Sequence, residues 1–185
     1  FSSIKYEVNA GGSIDNKGVF KSNGKVGDYV VRAYDPKAPK HSIFARVRVP
    51  LIIDESAGDN QVSIEGDWKK QEAPELINGS GLRLSNGQSG KITYTPNISE
   101  SGFYDVFFYA GGAGAGWWKA GMIQYAIKHD KGVATVDKEL GKRGQGLQFL
   151  GTFFFKKGGD SYIKAIGSQV NHALYADAVV LAKHV

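Results

Sequence analysis

Apolar residues recur at every second position in short runs rich in Val, Ile, Phe and Tyr, and the runs are separated by clusters of Gly, Asn and Asp. A period of two marks strands with one buried face, and the three-and-four spacing of an amphipathic helix is nearly absent. The chain is therefore predicted to be all-β. Its first part reads as short strands at about Tyr6–Val8, Gly18–Lys21, Asp28–Tyr34 and Ile43–Val49, with turns at Gly11-Gly12, Asp15-Asn16 and Asn23-Gly24. Four strands in roughly 50 residues form only part of a sandwich, since a complete seven-stranded one needs about 100.

Pro50 cannot donate to a strand ladder, and the apolar Leu51-Ile52-Ile53 begins a fresh strand, so a domain boundary is placed there: 1–50 and 51–185. Further strands follow at about Gln61–Glu65, Gly81–Ser85, Gly90–Thr95, Gly102–Ala110, Met122–His129, Val133–Lys138, Leu147–Phe155, Ser161–Ala165 and Tyr175–Ala182. This number and length of strands fits an antiparallel β-sandwich of jelly-roll type. In Phe103–Ala110 the alternation sends Tyr104, Val106 and Phe108 to one face and Phe103, Asp105, Phe107 and Tyr109 to the other. Aromatic residues on both faces predict a central strand whose second face is partly covered.

Composition narrows the function classes. Hydrophobic residues make up 42% and charged residues 22%, the proportions of an ordinary globular protein. No apolar run reaches the roughly 18 to 20 residues of a membrane span. Because the chain opens on Phe1, it is read as a piece of a longer precursor whose export signal lies upstream. Zero cysteine removes disulfides, thiolate nucleophiles and Cys-ligated zinc together. The net charge of +5 invites a nucleic-acid reading, but Lys37, Lys40, Arg46, Arg48, Lys69, Lys70, Lys142, Arg143, Lys156 and Lys157 are scattered and form no basic stripe. An acidic polymer such as a uronate-bearing or sulfated glycan remains compatible.

Two resemblances attach to particular motifs. YEVNAGGSIDNKGVF followed by GDYVVRA resembles the closing half of bacterial immunoglobulin-like repeats, which makes residues 1–50 a partial repeat acting as a spacer. IIDE at 52–55, Gly66-Asp67-Trp68, ITYTP at 92–96, SGFYDVFFY at 101–109, IQYAIKH at 123–129, LGTFFFKKG at 150–158 and ADAVVL at 176–181 resemble, in order, the golvesin or xanthan-lyase carbohydrate-binding-like domain. That resemblance implies a jelly-roll sandwich at the C-terminus of a larger secreted, periplasmic or surface bacterial enzyme, a polysaccharide lyase or an FAD-dependent oxidoreductase-like protein. It also implies glycan binding. The family usually carries a Trp just before Leu-Gly-Thr, and here Leu147, Gln148 and Phe149 stand there. If that Trp packs the core, Phe149 replaces it with little loss; if it stacks on sugar, the platform has moved or weakened.

Nothing in the sequence has the spacing of an enzyme. His41, His129, His172 and His184 fall in no metal motif, and neither a G-x-S-x-G elbow nor a P-loop is present. Gly111 to Gly116 alternates glycine and alanine but leads into a strand, so no helix N-terminus follows to hold phosphate. No cofactor, metal or catalytic residue is assigned. The candidate ligand-binding residues are Trp117 and Trp118 in their glycine-rich segment, Lys119 beside them, Tyr109, Asn171, His172, Tyr175 and Asp177. The tryptophans either cap the core or stack on a flat ligand face, and Lys119 either meets a carboxylate or sulfate on a glycan or is only solvated. Asn171, His172 and Tyr175 offer planar polar groups that pair with sugar hydroxyls. Asp177 interrupts an apolar strand; it either accepts backbone N–H groups and pins that strand, or lies beside a glycan or cation site. Trp68 is read as core. The expected function is a non-catalytic, polysaccharide-binding accessory module, the alternative being a structural module that packs on the parent catalytic domain.

Overall fold

The computed structural model describes residues 4–74, 76–110, 121–140, 146–168 and 173–185. Among the described residues the regular elements are all strands, apart from a single 3-10 turn at Ile77–Gly79. The chain divides into two compact units, Phe1–Leu51 with Val185, and Ile52–His184.

In the first unit the strands are β1 (Lys5–Val8), β2 (Gly12–Ile14), β3 (Phe20–Ser22), β4 (Gly27–Asp35) and β5 (Ala38–Val49). They form a three-stranded sheet in the order β1-β4-β5 and a β2-β3 ribbon. Tyr29 and Val31 of the central strand are buried, and the Tyr29 hydroxyl donates to the Lys25 carbonyl at 2.8 Å. β5 begins earlier than the sequence pattern predicts, because Ala38 already pairs with Asp35 across the turn.

The second unit contains β6 (Leu51–Asp54), β7 (Val62–Gly66), β8 (Lys69–Glu72), β9 (Ser80–Leu84), β10 (Gly90–Tyr94), β11 (Gly102–Ala110), β12 (Gly121–His129), β13 (Gly132–Leu140), β14 (Gly146–Phe155), β15 (Tyr162–Gly167), β16 (Leu174–Ala176) and β17 (Ala178–Lys183). One sheet runs β13-β12-β15-β10-β7, a second β14-β11-β17-β6, and a small third β16-β9-β8. Within these sheets β10 pairs antiparallel with β7 and β15, β12 with β13 and β15, β11 with β14 and β17, and β9 with β8 and β16. This is the predicted β-sandwich. Two features escaped the pattern: β8, whose Lys-Lys-Gln-Glu has no apolar alternation, and the break at Asp177 that splits the predicted closing strand into β16 and β17.

The two large sheets meet through aromatic rings. Phe108 of β11 lies 6.2 Å from Tyr94 of β10 and 4.8 Å from Tyr125 of β12, ring centre to ring centre, and all three are completely buried. Around them pack Ile92, Ile123, Ile127, Ile163, Val106, Val179 and Leu181, each at most 1% exposed. Trp68 is also buried, as predicted. It lies so close to Gly90 that a Cβ there would sit 2.4 Å from the indole nitrogen.

A bulge in β14 sets which residues face outward. The β11–β14 register shifts between Val106, opposite Gly151, and Phe107, opposite Phe149, so Leu150 is the extra residue. Gly151 has φ +146°, a conformation side chains rarely adopt. Since a one-residue slip turns every later side chain over, this bulge places the exposed Phe149 beside Phe107 and leaves Leu150 buried.

The core makes opposite demands of its two buried tyrosines. The Tyr94 hydroxyl donates to the Asp177 carbonyl at 3.1 Å, whereas the Tyr125 hydroxyl is buried without a partner. Stranding a polar group costs about 1 to 3 kcal/mol. Tyr125→Phe is therefore expected to raise the unfolding free energy by about 1 kcal/mol and Tyr94→Phe to lower it by a similar amount. Urea unfolding checks this, and a destabilised Tyr125→Phe would contradict it.

Candidate functional site

The outer faces of the two large sheets differ in kind. On the five-stranded sheet the outward positions include Lys91, Thr93, Gln124 and Lys164, each between buried neighbours, and Lys128 beside the buried Ile127. That is the ordinary apolar-in, polar-out pattern. The four-stranded sheet breaks it: β11 presents Phe103, Asp105, Phe107 and Tyr109, whose register partners on β14 are Phe154, Thr152, Phe149 and Leu147. Phe103 and Phe154 meet edge to face at 5.2 Å, and Phe107 and Phe149 lie tilted at 5.3 Å. Phe103 is 51% exposed, Leu147 53% and Phe149 48%. Large apolar side chains thus stand on the outer face of this sheet, where polar residues are the rule.

Between the two ring pairs sits one carboxylate. Asp105 accepts a hydrogen bond from the Thr152 hydroxyl at 2.6 Å, and its same oxygen lies 2.8 Å from His184 Nδ1. The His184 amide donates to the Phe103 carbonyl at 2.8 Å, which continues the β17 pairing and brings the imidazole to this face. The arrangement offers flat apolar rings on either side of oriented acceptor and donor groups, and such a surface suits a ligand with both apolar faces and hydroxyl edges.

A second cluster lies inside the fold. Asp54 ends β6, Glu55 follows it, and Asp177 fills the gap between β16 and β17. One carboxylate oxygen from each lies within 4.8 Å of the others, although all three residues are buried. The Ser56 amide donates to Asp54 Oδ1 at 3.0 Å, as does the Ser56 hydroxyl. The Ser80 hydroxyl donates to Glu55 Oε1 at 2.6 Å, and the Ile77 amide to Asp177 Oδ2 at 2.9 Å. Burial raises the pKa of Glu55, against the Ser80 hydrogen bond and with the help of Asp54. Burial likewise lifts Asp177 to about 7, opposed by the Ile77 amide and reinforced by Glu55 and Asp54. These three carboxylates are the residues that could hold a metal among the described residues. A cavity of about 460 Å³ opens beside Glu55, lined also by Ser56, Asp59, Val62 and Ser63.

Of the sequence candidates, Trp117, Trp118, Lys119, Asn171 and His172 lie outside the described residues. Tyr109 is half-buried on the aromatic face. Tyr175 is half-buried in β16 opposite Arg83. Asp177 pins the chain through Ile77 and is completely buried, next to Ala178, the register partner of Tyr109. The structure thus gathers Tyr109 with Phe107 and Phe149, and Asp177 with Asp54 and Glu55. Phe149, one of the three residues among which the family's usual Trp position falls, is half exposed against Phe107 and does not fill the core. Its partner strand's alternation was legible, but the β14 bulge that aligns it was not.

The golvesin C-terminal domain model matches residues 51–183. The chain belongs to the golvesin C-terminal domain family. No curated protein matches it in sequence. The golvesin-type chain is similar to Paenibacillus xanthan lyase with 21% identity and a TM-score of 0.61, over 98% of this chain but 20% of the lyase. It is also similar to a family 35 carbohydrate-binding module from Clostridium thermocellum, with 12% identity and a TM-score of 0.52 over 71% of this chain and 96% of the module. An exo-β-1,3-galactanase from Phanerochaete chrysosporium has 14% identity and a TM-score of 0.52, over 82% of this chain and 32% of the enzyme. These likenesses establish the fold of the golvesin-type domain as that of carbohydrate-binding sandwiches. No described helix is long and apolar enough to cross a membrane.

The raised Asp177 gives the fold a pH dependence. The unfolded carboxyl loses its proton near its ordinary 3.8, and the folded one near 7. Between these values the native state holds more protons, so in ion-free buffer stability falls as pH rises from about 4 to about 7 and then levels off. Asp177→Asn keeps the shape without the charge. The difference between wild type and this variant is expected to change by about 2 to 4 kcal/mol across that window, measured by chemical unfolding at a series of pH values.

Proposed function

We propose that this chain is a non-catalytic accessory module that binds polysaccharide and keeps a larger secreted or surface bacterial enzyme close to its substrate. The observation that carries the reading is the outer face of the β14-β11-β17-β6 sheet, where two aromatic pairs, each with one exposed and one half-buried ring, flank the Asp105–Thr152–His184 group. In this reading Phe103, Phe107, Phe149 and Tyr109 stack on sugar rings, and Asp105 and His184 meet hydroxyl groups. Trp117, Trp118 and Lys119, in the segment that follows β11 in sequence, are further ligand contacts in this reading, as are Asn171, His172 and Tyr175. Membership of a family whose fold is shared with carbohydrate-binding modules supports the reading, as does the similarity to one part of a xanthan lyase. The parent enzyme is of polysaccharide-lyase type, and residues 1–50 serve as an immunoglobulin-like spacer.

Stacking adds about 0.5 to 1.5 kcal/mol per ring beyond simple burial, so affinity at one site is modest and tethering does the rest. In affinity electrophoresis against neutral and uronate-bearing polysaccharides, the chain is expected to be retarded by at least one polymer. The double variant Phe107→Ala, Phe149→Ala should weaken that binding about tenfold while the melting temperature stays within a few degrees. Failure to bind any polymer would overturn the reading and leave the aromatic face as a docking surface for the parent catalytic domain.

A further inference from the structure

We infer that Asp54, Glu55 and Asp177 form a binding site for a hard divalent cation, and that the cation is calcium. The inference is independent of glycan binding. It starts from groups that the fold leaves incomplete. Asp54 is 6% exposed, Glu55 7% and Asp177 0%, yet each keeps one carboxylate oxygen, Asp54 Oδ2, Glu55 Oε2 and Asp177 Oδ1, with no hydrogen-bond partner. Buried carboxylates normally satisfy both oxygens or pair with a cation. Among the described residues no Lys, Arg or His forms an ion pair with any of the three.

The oxygens that do have partners are held by groups that aim the carboxylates. Ser56 holds Asp54, Ser80 holds Glu55 and Ile77 holds Asp177. Each carboxylate is thus anchored through one oxygen and presents the other, which is how outer partners orient metal ligands. The Glu55 amide also donates to the Asp177 carbonyl at 2.9 Å, which fixes the two ligand segments to each other.

The donors name the ion. Three carboxylates and no nitrogen or sulfur favour Ca²⁺, Mg²⁺ or Mn²⁺ over the softer transition metals. Mg²⁺ keeps most of its waters and usually accepts one or two carboxylates, whereas Ca²⁺ takes six to eight oxygens in flexible geometry and tolerates a crowded carboxylate set. Glu55 also lines a cavity of about 460 Å³, which neither Asp54 nor Asp177 reaches. Asp54 and Glu55 open the family domain and Asp177 lies near its end, so a bound ion ties the two ends of the sandwich together.

The test uses the full chain, stripped with EDTA and dialysed into metal-free buffer near pH 7.5. Equilibrium dialysis with elemental analysis is expected to find one calcium per chain. Adding about 1 mM Ca²⁺ should raise the thermal midpoint by several degrees and raise it further with each tenfold increase. Mg²⁺ at the same concentration should give less than half that shift. Asp177→Asn and Glu55→Gln should each remove most of the calcium shift, and Asp160→Asn, an exposed carboxylate elsewhere, should keep it. Because a ligand variant can fail to fold, the wild-type stoichiometry decides independently. No bound calcium and an unmoved midpoint would overturn the site, and an equal response to Mg²⁺ would overturn its assignment to calcium.

Discussion

The burial of one strand on both faces governs this domain. β17 lies between β11 and β6, and Ala178, Val179, Val180, Leu181 and Ala182 are all at most 7% exposed. Val179 and Leu181 sit opposite Phe108 and Val106, both of which are fully buried. A strand with no solvent face reads as a continuous apolar run, and a charged residue beside such a run has no water to turn to. The chain interrupts the strand at Asp177, gives one oxygen to the Ile77 amide and sets the carboxylate against Asp54 and Glu55. The acidic cluster is therefore a consequence of where the closing strand must go.

The same sheet decides the outer surface. β11 is sandwiched between β14 and β17, so its outward row lies mid-sheet, away from either edge. An ordinary sandwich fills such a row with polar groups, as the five-stranded sheet does with Lys91, Thr93 and Lys128. Phe103, Phe107 and Phe149 depart from that rule, and their cross-strand ring pairs leave Phe103 and Phe149 about half exposed. The Asp105, Thr152 and His184 group between them is well ordered by short contacts, which limits the entropy lost when a ligand settles there.

Much of the fold was legible because strand alternation is a local property. β10, β11, β12 and β14 lie within a residue or so of the expected segments, and Tyr104, Val106 and Phe108 face the core as the alternation of β11 requires. What escaped notice depends on pairing. β8 has a polar sequence and becomes a strand only by lying against β9. The Phe107–Phe149 pair requires the bulge at Leu150, which no period reveals. Asp54 and Glu55 were visible as part of a family motif, but their company with a residue more than 120 positions away follows from the β6–β17 pairing alone.

The two sites share a frame. β6 and β17 are neighbours, one ending in Asp54 and the other beginning just after Asp177, and β17 is hydrogen-bonded along its other edge to β11, which carries the aromatic row. An ion bound at the acidic cluster would therefore stabilise the strands on which the outer face is built. The direction of this coupling follows from linkage: whatever binds only the folded cluster stabilises the fold that presents the rings. It need not move any atom of the aromatic face, since a surface already held in place loses less freedom on meeting its ligand.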